Sequence, residues 1–305
     1  MRAVLLWSAA IGLCCGQQPR LTNAKLDTRA STAGLERDFQ SMVAAENGPA
    51  WIGYAVRAVP GDHQMCCSSF DNGDRRCRGC ALEGDRAGNS VSAVPGAVSL
   101  EAPGYIFVLF RIEQHAVDRI RTFSAECELD GGGLPVHWLT GVQPAESIAL
   151  LTSFATQTDD GRHRRSEPAL SAIALHAGPT ADQALEKLVA PSQPESLRER
   201  ATFWLGSARG HRGYEVLRHI VSEDASERVR EKAVFGLSVS REPEAMPAMI
   251  EVAKSDRSSH VRGQALFWLA QKAGHKAAAA ITEAIENDPD TEVKKKAVFA
   301  LQQLP

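Results

Sequence analysis

The chain lacks a strong charge of either sign. Its 34 Lys and Arg residues nearly balance its 37 Asp and Glu residues, which leaves a formal net charge of −3 at pH 7. Proteins that bind nucleic acid usually carry a basic patch or stripe and a raised isoelectric point. The composition therefore argues against nucleic acid as a partner.

Long apolar runs and catalytic motifs are also missing. After the N-terminal segment no stretch approaches the roughly 18 apolar residues of a spanning helix, so no membrane span is expected in the mature chain. No Ser-His-Asp order, P-loop or Gly-rich nucleotide loop occurs in the structural context that it needs. We therefore predict a chain that is not an enzyme, with no catalytic residues, no cofactor and no metal.

The first 16 residues have the pattern of a secretory signal. One Arg precedes an apolar run, Ala3–Leu13, which is followed by small residues. Cleavage after Gly16 is one option, and a buried N-terminal helix is the alternative to a signal. Lipid attachment at Cys14 or Cys15 is less favoured, because the residue before each is not the usual small one. We expect an exported protein, periplasmic or secreted.

Five cysteines remain after such a cleavage, and four of them cluster around an Asn-Gly turn. The clustered residues are Cys66, Cys67, Cys77 and Cys80. Three interpretations compete: two disulfides across the turn, a zinc site of four thiolates, and a redox-active C-x-x-C. Export favours disulfides. Cys127 falls on the inward face of an alternating strand and is predicted to be a buried thiol, with pairing to the cluster as the alternative.

In the first half of the chain the sequence predicts a polar linker and a short amphipathic helix (17–46), followed by a small antiparallel β module (47–141). A continuous apolar run over 105–113 predicts one strand of that module. Residues 121–129 alternate between apolar and polar side chains and predict another, half-buried strand.

The second half repeats itself every 32 residues. An Ala marks the same place in each of four copies, with Val or Leu four residues before it and Leu four residues after it in all four. The four residues are Ala201, Ala233, Ala265 and Ala297. Two short helices per copy cannot bury a core alone, so the copies must stack. The sequence thus predicts a two-part α+β chain whose residues 142–305 form an α-solenoid of about five helix pairs.

The repeat resembles a known family. The pattern D-x4-V-R-x2-A-x3-L, from Asp224 to Leu237 and again from Asp256 to Leu269, is similar to the HEAT repeat of the short phycobilisome-lyase-like type, over about residues 140–305. The resemblance implies a right-handed solenoid and a scaffold with many uses. Deoxyhypusine hydroxylases, which are also HEAT-like proteins, hold iron with His-Glu dipeptides. None of the nine His residues here precedes a Glu, so that iron site is not expected.

One aromatic residue per copy lies away from the helix face that carries the recurring Val or Leu, Ala and Leu. Each copy places a Phe two residues after the Ala, about 200° round the helix from it. Because second helices line the concave wall of HEAT-like solenoids, these residues should form a ladder there. The ladder residues are Phe203, Phe235, Phe267 and Phe299. Trp204 and Trp268 fall on a flank and are predicted to be core between repeats.

Two interpretations of the ladder remain open: each Phe is covered by its neighbour, or the ladder is a binding surface. The second predicts an exported, non-catalytic interaction or scaffold protein that binds a protein or peptide. The alternative is an enzyme or cofactor-handling protein, bilin-lyase-like or using the Cys cluster as a redox or zinc module. The predicted polar rim of the ladder consists of Glu231, Lys232, Arg262, Gln264, Lys295 and Lys296.

Overall fold

A computed structural model describes most of the chain. The described ranges are 18–61, 68–71, 74–77, 79–83, 90–91, 104–157 and 165–304, with the backbone alone described at 68–71, 74–77, 79, 90 and 91. The predicted signal segment with Cys14 and Cys15 lies outside these ranges, as do Cys66 and Cys67. No helix in the described ranges is both long enough and apolar enough to cross a membrane.

Strands occupy the first half of the chain and helices the second. The strands are β1 (Arg20–Thr22), β2 (Lys25–Ala30), β3 (Ala50–Arg57), β4 (Ser68–Asp71), β5 (Asp74–Cys77), β6 (Gly79–Ala81), β7 (Ser90–Val91), β8 (Tyr105–Glu113), β9 (Ala116–Ser124), β10 (Glu128–Asp130) and β11 (Pro135–Thr140). The helices are α1 (Leu35–Ala45), α2 (Pro144–Ala155), α3 (Ser166–Leu175), α4 (Pro179–Leu188), α5 (Glu195–Ala208), α6 (Gly210–Glu223), α7 (Glu227–Val239), α8 (Ala245–Ser255), α9 (Ser259–Ala273), α10 (Ala278–Asn287) and α11 (Thr291–Gln302).

The main sheet is mixed, so the prediction of an antiparallel module is wrong. Its strand order is β2-β11-β3-β8-β9. The pairs of β11 with β2 and β3 are parallel, and the pairs of β8 with β3 and β9 are antiparallel. Helix α1 carries the chain across one face of the sheet between β2 and β3, so these two strands run in the same direction, and β11 lies between them parallel to both. Leu35, Phe39 and Val43 of α1 are buried against that face.

The predicted polar linker contains two strands. β1 pairs with β10 in a second, four-stranded sheet, and β2 forms the edge of the main sheet. Neither strand has a buried residue. A strand with no buried face needs no alternation of apolar and polar residues, and this explains why the pattern indicated a linker.

The strand predicted over 121–129 is broken after Ser124. The chain turns there, with the Cys127 amide donating to the Ser124 carbonyl at 3.1 Å, and continues as β10 in the second sheet. The predicted inward residues Phe123, Ala125 and Leu129 are nevertheless all buried. They belong to a small core between the two sheets, together with Trp51, Phe107 and Trp138.

The ten helices α2 to α11 form five consecutive pairs, and the first pair packs on the same face of the main sheet as α1, where Phe110 contacts both Phe39 of α1 and Phe154 of α2. The large core runs without interruption from that face through every pair. Successive second helices, α5, α7, α9 and α11, pack closely on one another, whereas successive first helices touch only lightly. The wall of second helices is therefore the tighter, inner one.

Two glycines permit the closest approach on this wall. A Cβ on Gly206 would lie 2.0 Å from the carbonyl oxygen of Gly236, and a Cβ on Gly236 would lie 2.8 Å from the carbonyl oxygen of Thr202. Both contacts are with backbone atoms. Helices α5 and α7 can pack at this distance only because neither residue has a side chain.

The Asp and Arg of the repeat pattern join neighbouring copies. Each Arg, three residues before the repeat Ala, donates to the Asp of the following copy. The pairs are Arg198 with Asp224 at 2.7 Å, Arg230 with Asp256 at 2.9 Å and Arg262 with Asp288 at 2.8 Å. Each Asp also accepts from a backbone amide two residues later, which fixes the turn into the second helix. The pattern therefore encodes contacts between repeats.

Candidate functional site

The four predicted ladder residues lie on the wall of second helices, with graded exposure. Phe203, Phe235 and Phe267 are half-buried on α5, α7 and α9. Phe299 on α11 is 52% exposed, the most exposed large apolar side chain of the described residues. None of the four is fully buried, so each presents part of a ring to the surface.

The rings contact one another from repeat to repeat. Phe203 stacks on Phe235 with ring centroids 5.8 Å apart and planes inclined by 18°. Between α7 and α9 the contact is made through Trp268, whose ring centroid lies 4.7 Å from that of Phe235 and 4.9 Å from that of Phe267. Trp204 packs edge-on against Phe203 at 5.0 Å. We call these five residues the aromatic row.

Sequence reasoning missed the part that tryptophan plays in the row. Trp204 and Trp268 were predicted to be core between repeats, yet both are only half-buried. The indole nitrogen of Trp204 donates to the Glu167 carboxylate at 3.0 Å. The signal was present in the sequence, since a Trp follows directly after Phe203 and Phe267. Phe299 makes no ring contact within the described residues and stands apart from the row.

Five of the six predicted rim residues lie at the surface of this wall. Lys232 and Lys295 are exposed, and Lys295 bonds Glu292 at 2.8 Å. Glu231, Gln264 and Lys296 are half-buried. The His260 ring bridges two of them, with Nε2 at 3.3 Å from Glu231 and Nδ1 at 3.4 Å from Lys296. The rim thus carries both signs of charge.

Arg262 is not a rim residue. Its side chain is buried, and both Nε and Nη2 donate to the Asp288 carboxylate, at 2.8 and 2.9 Å. This bidentate pair lowers the pKa of Asp288 and raises that of Arg262. The prediction fails because Arg262 points toward the next repeat and not along the wall.

The two cysteines whose side chains the structure describes are disulfide-bonded. Cys80 and Cys127 are both fully buried in the small core, and each is in a disulfide. For Cys127 the prediction of a buried thiol is wrong, and for Cys80 a disulfide replaces the zinc thiolate alternative. The side chain of Cys77 lies outside the described residues, so its predicted pairing stays a prediction.

Two clefts lie on the opposite, outer side, between successive first helices. One, of about 820 Å³, runs between α4 and α6 over an apolar floor that includes Val216 and Ile220. The other, of about 630 Å³, runs between α6 and α8 and includes Tyr214 and Val252. They open where the first helices spread apart. The residues of the aromatic row line neither of these two clefts.

Comparison with protein families confirms the repeat. A model of HEAT repeats matches residues 214–302, which include the second and third copies of the D-x4-V-R pattern and most of the aromatic row. A comparison with curated proteins finds no match.

Three solved structures are similar to about half of this chain at low identity. The complex of CpcE and CpcF of phycocyanin lyase from Nostoc sp. PCC7120 is 17% identical over 50% of this chain and 97% of that chain, with a TM-score of 0.39. Human deoxyhypusine hydroxylase in complex with glycerol is 19% identical over 52% of this chain and 62% of that one, with a TM-score of 0.35. Epoxyqueuosine reductase from Bacillus subtilis is 14% identical over 54% of this chain and 45% of that one, with a TM-score of 0.27.

These neighbours contradict the prediction that the chain is not an enzyme. Each of the three is named for a lyase, a hydroxylase or a reductase. A non-catalytic role is therefore not maintained.

Proposed function

We propose that this chain is a HEAT-repeat protein that binds a segment of another protein, or a peptide, along the inner wall of its second helices. The observation that carries the proposal is the aromatic row, whose rings pack on one another across three repeats yet stay half-exposed. Aromatic side chains are enriched in the energetically dominant parts of protein interfaces. The proposal concerns binding, and it suits an enzyme with a protein substrate as well as a scaffold.

The shape of the wall favours a polypeptide over a small molecule. Small ligands are usually held in clefts that cover most of their surface. The two clefts described above lie on the outer side, and the aromatic row crosses successive helices as an elongated strip. A strip of this kind offers one apolar contact per repeat, which matches side chains spaced along a helix or an extended segment.

The rim adds polar contacts at the edge of the strip. Lys232 is exposed beside Phe235, and Lys295 and Lys296 lie near the end of the wall, with acidic partners among them. Rim charges contribute little affinity by themselves but orient an approaching partner. The apolar centre and mixed rim correspond to the usual anatomy of a protein interface.

We further propose that the protein works in an oxidising compartment, as the predicted export requires. The disulfide-bonded state of the buried residues Cys80 and Cys127 supports this, because structural disulfides persist in such compartments and are rare in reducing ones.

A photo-crosslinking experiment tests the binding proposal. A photoreactive phenylalanine analogue replaces Lys232 on the inner wall in one variant and Arg218 on the outer side in a second. Both variants are produced in cells of the native source and irradiated there. We expect a discrete crosslinked partner from position 232 and much less from position 218. Equal crosslinking from both positions, or crosslinking from 218 alone, would contradict the proposal.

A further inference from the structure

A cluster of possible metal ligands lies away from the aromatic row, where two repeats meet. His211 is near the start of α6, and Glu242 and Glu244 are in the turn that precedes α8. One ring nitrogen and one oxygen of each carboxylate all lie within 4.8 Å of one another. His211 Nδ1 is 3.4 Å from a Glu242 oxygen, and its Nε2 is 3.8 Å from Glu215 on the same helix.

The backbone of the turn is held without help from these carboxylates. The Ala245 amide donates to the Glu242 carbonyl and the Ala248 amide to the Glu244 carbonyl, each at 3.1 Å. Ser240 Oγ accepts from the Glu242 amide at 3.3 Å. The two carboxylate side chains are therefore not needed to form the turn, and their oxygens are available to a ligand.

The charges around the cluster leave it acidic. Within the described residues no Lys or Arg lies within ion-pair distance of Glu242 or Glu244. The nearby Arg212 is occupied by Glu186 at 2.7 Å and Glu215 at 2.8 Å. Among the described residues, the His211 ring is the group of positive charge, when protonated, that lies within ion-pair distance of Glu242.

The repeat itself does not require these residues. One period of 32 residues later, the position of His211 is taken by Pro243, that of Glu242 by Gly274 and that of Glu244 by Lys276. Side chains that pack one repeat on the next recur from copy to copy, as the three Arg-Asp pairs do. The cluster is a local addition to the repeat pattern.

We propose that His211, Glu242 and Glu244 bind one divalent transition-metal ion of the zinc class. An imidazole nitrogen with two carboxylate oxygens suits zinc and its neighbours, whereas calcium and magnesium prefer oxygen ligands alone. Zinc bonds to nitrogen and oxygen are about 2.0–2.2 Å long, so the exposed side chains of His211 and Glu244 and the half-buried one of Glu242 close inward by rotation and water completes the coordination. The ion joins α6 to the turn before α8. This proposal does not rest on the binding function of the aromatic row.

Isothermal titration of the full chain with zinc chloride, after dialysis against a chelator, tests the site. We expect one saturable site in the wild type. His211→Ala and Glu244→Gln should each weaken it at least about tenfold, since each removes one of three ligands. His219→Ala is the matched control, because it removes another exposed histidine of α6 and should leave the affinity unchanged. Thermal unfolding followed by circular dichroism confirms that each variant is folded.

Three outcomes overturn the proposal. The first is a wild type that shows no saturable zinc binding at millimolar concentration. The second is binding that both His211→Ala and Glu244→Gln leave unchanged, which would place the ion elsewhere. The third is magnesium binding as tight as zinc binding, which would reduce the cluster to a general attraction of cations by acidic groups.

Discussion

One buried histidine ties the sheet to the first helix pair. His176 Nδ1 lies 2.6 Å from the Ala172 carbonyl and donates to it, so Nε2 accepts from the Ser147 hydroxyl at 2.8 Å. Ser147 Oγ in turn accepts from the Tyr54 hydroxyl of β3, also at 2.8 Å. All three side chains are fully buried. The Ser-His pair therefore serves packing, because a substrate cannot reach it.

This histidine gives the stability a pH dependence. Burial, and to a smaller extent the charge of Arg209, lower the pKa of His176 to about 4, from about 6.5 in an unfolded chain. The unfolded state then binds the proton more readily between these values, so stability is full above pH 6.5 and falls toward pH 4. We expect a loss of about 2.5 kcal/mol between pH 7.5 and 4.5 from this group.

Urea unfolding at the two pH values measures that loss. In His176→Gln the contribution of the histidine disappears, so the variant should be less stable at pH 7.5 but lose less stability on acidification than the wild type. Carboxylates that titrate in the same range act equally in both proteins and cancel. An identical pH dependence in wild type and variant would contradict the assignment.

At the scale of the element, the helix pairs were predictable and the strands only in part. The 32-residue spacing of Ala233 and its equivalents gave the phase of the second helix in four of the five pairs, because stacked repeats must bury the same face each time. The break after Ser124 was not predictable, since alternation continues across the turn while the partner strand changes. The edge strand β2 buries no residue and so leaves no pattern.

The close packing of α5 on α7 predicts that an alanine is costly at Gly206, in contrast to Gly263 on α9. Gly206→Ala should destabilise the protein by about 1–3 kcal/mol, because the new methyl group meets the Gly236 backbone, which cannot move without separating the helices. Gly263→Ala is the matched control: its methyl group meets Cδ of Lys296, a flexible side chain, and alanine favours the helix by up to about 1 kcal/mol. Chemical denaturation of both variants measures the difference.

Equal stability of the two alanine variants would show that the second helices are not held at this distance. The inner wall would then be looser, and the ring contacts along it would not be fixed by the backbone.

At the scale of the whole molecule, the sheet and the solenoid share one core. Apolar side chains of β3 and β8, such as Ile52 and Phe110, belong to the same buried cluster as Ala300 of the last helix. The sequence predicted two parts in the right order. It could not predict that β11 pairs between β2 and β3, since pairing depends on contacts between residues about 100 apart in the chain.

The candidate binding surface was also predicted in part. The four Phe positions follow from helical geometry, and the structure places them on the inner wall. The contribution of Trp268 was missed because an angle on a single helix does not show which way a large ring leans across the gap to the next one. Arg262 was misplaced for a similar reason, since its Asp partner comes from the following repeat.

The measurement that tests the binding claim most directly compares stability and affinity in the same variants. The double variant Phe235→Ser/Phe267→Ser removes the centre of the aromatic row, and Val216→Ser removes a comparable apolar contact from the outer cleft. Affinity for the partner captured at position 232 is measured beside the free energy of unfolding. We expect the double variant to stay folded and lose at least about thirtyfold in affinity, about 2 kcal/mol, as hot-spot residues do. Val216→Ser should retain full affinity. A large loss of stability in the double variant, with partner affinity unchanged, would contradict the account. It would show that the aromatic row is part of the core and not a binding surface.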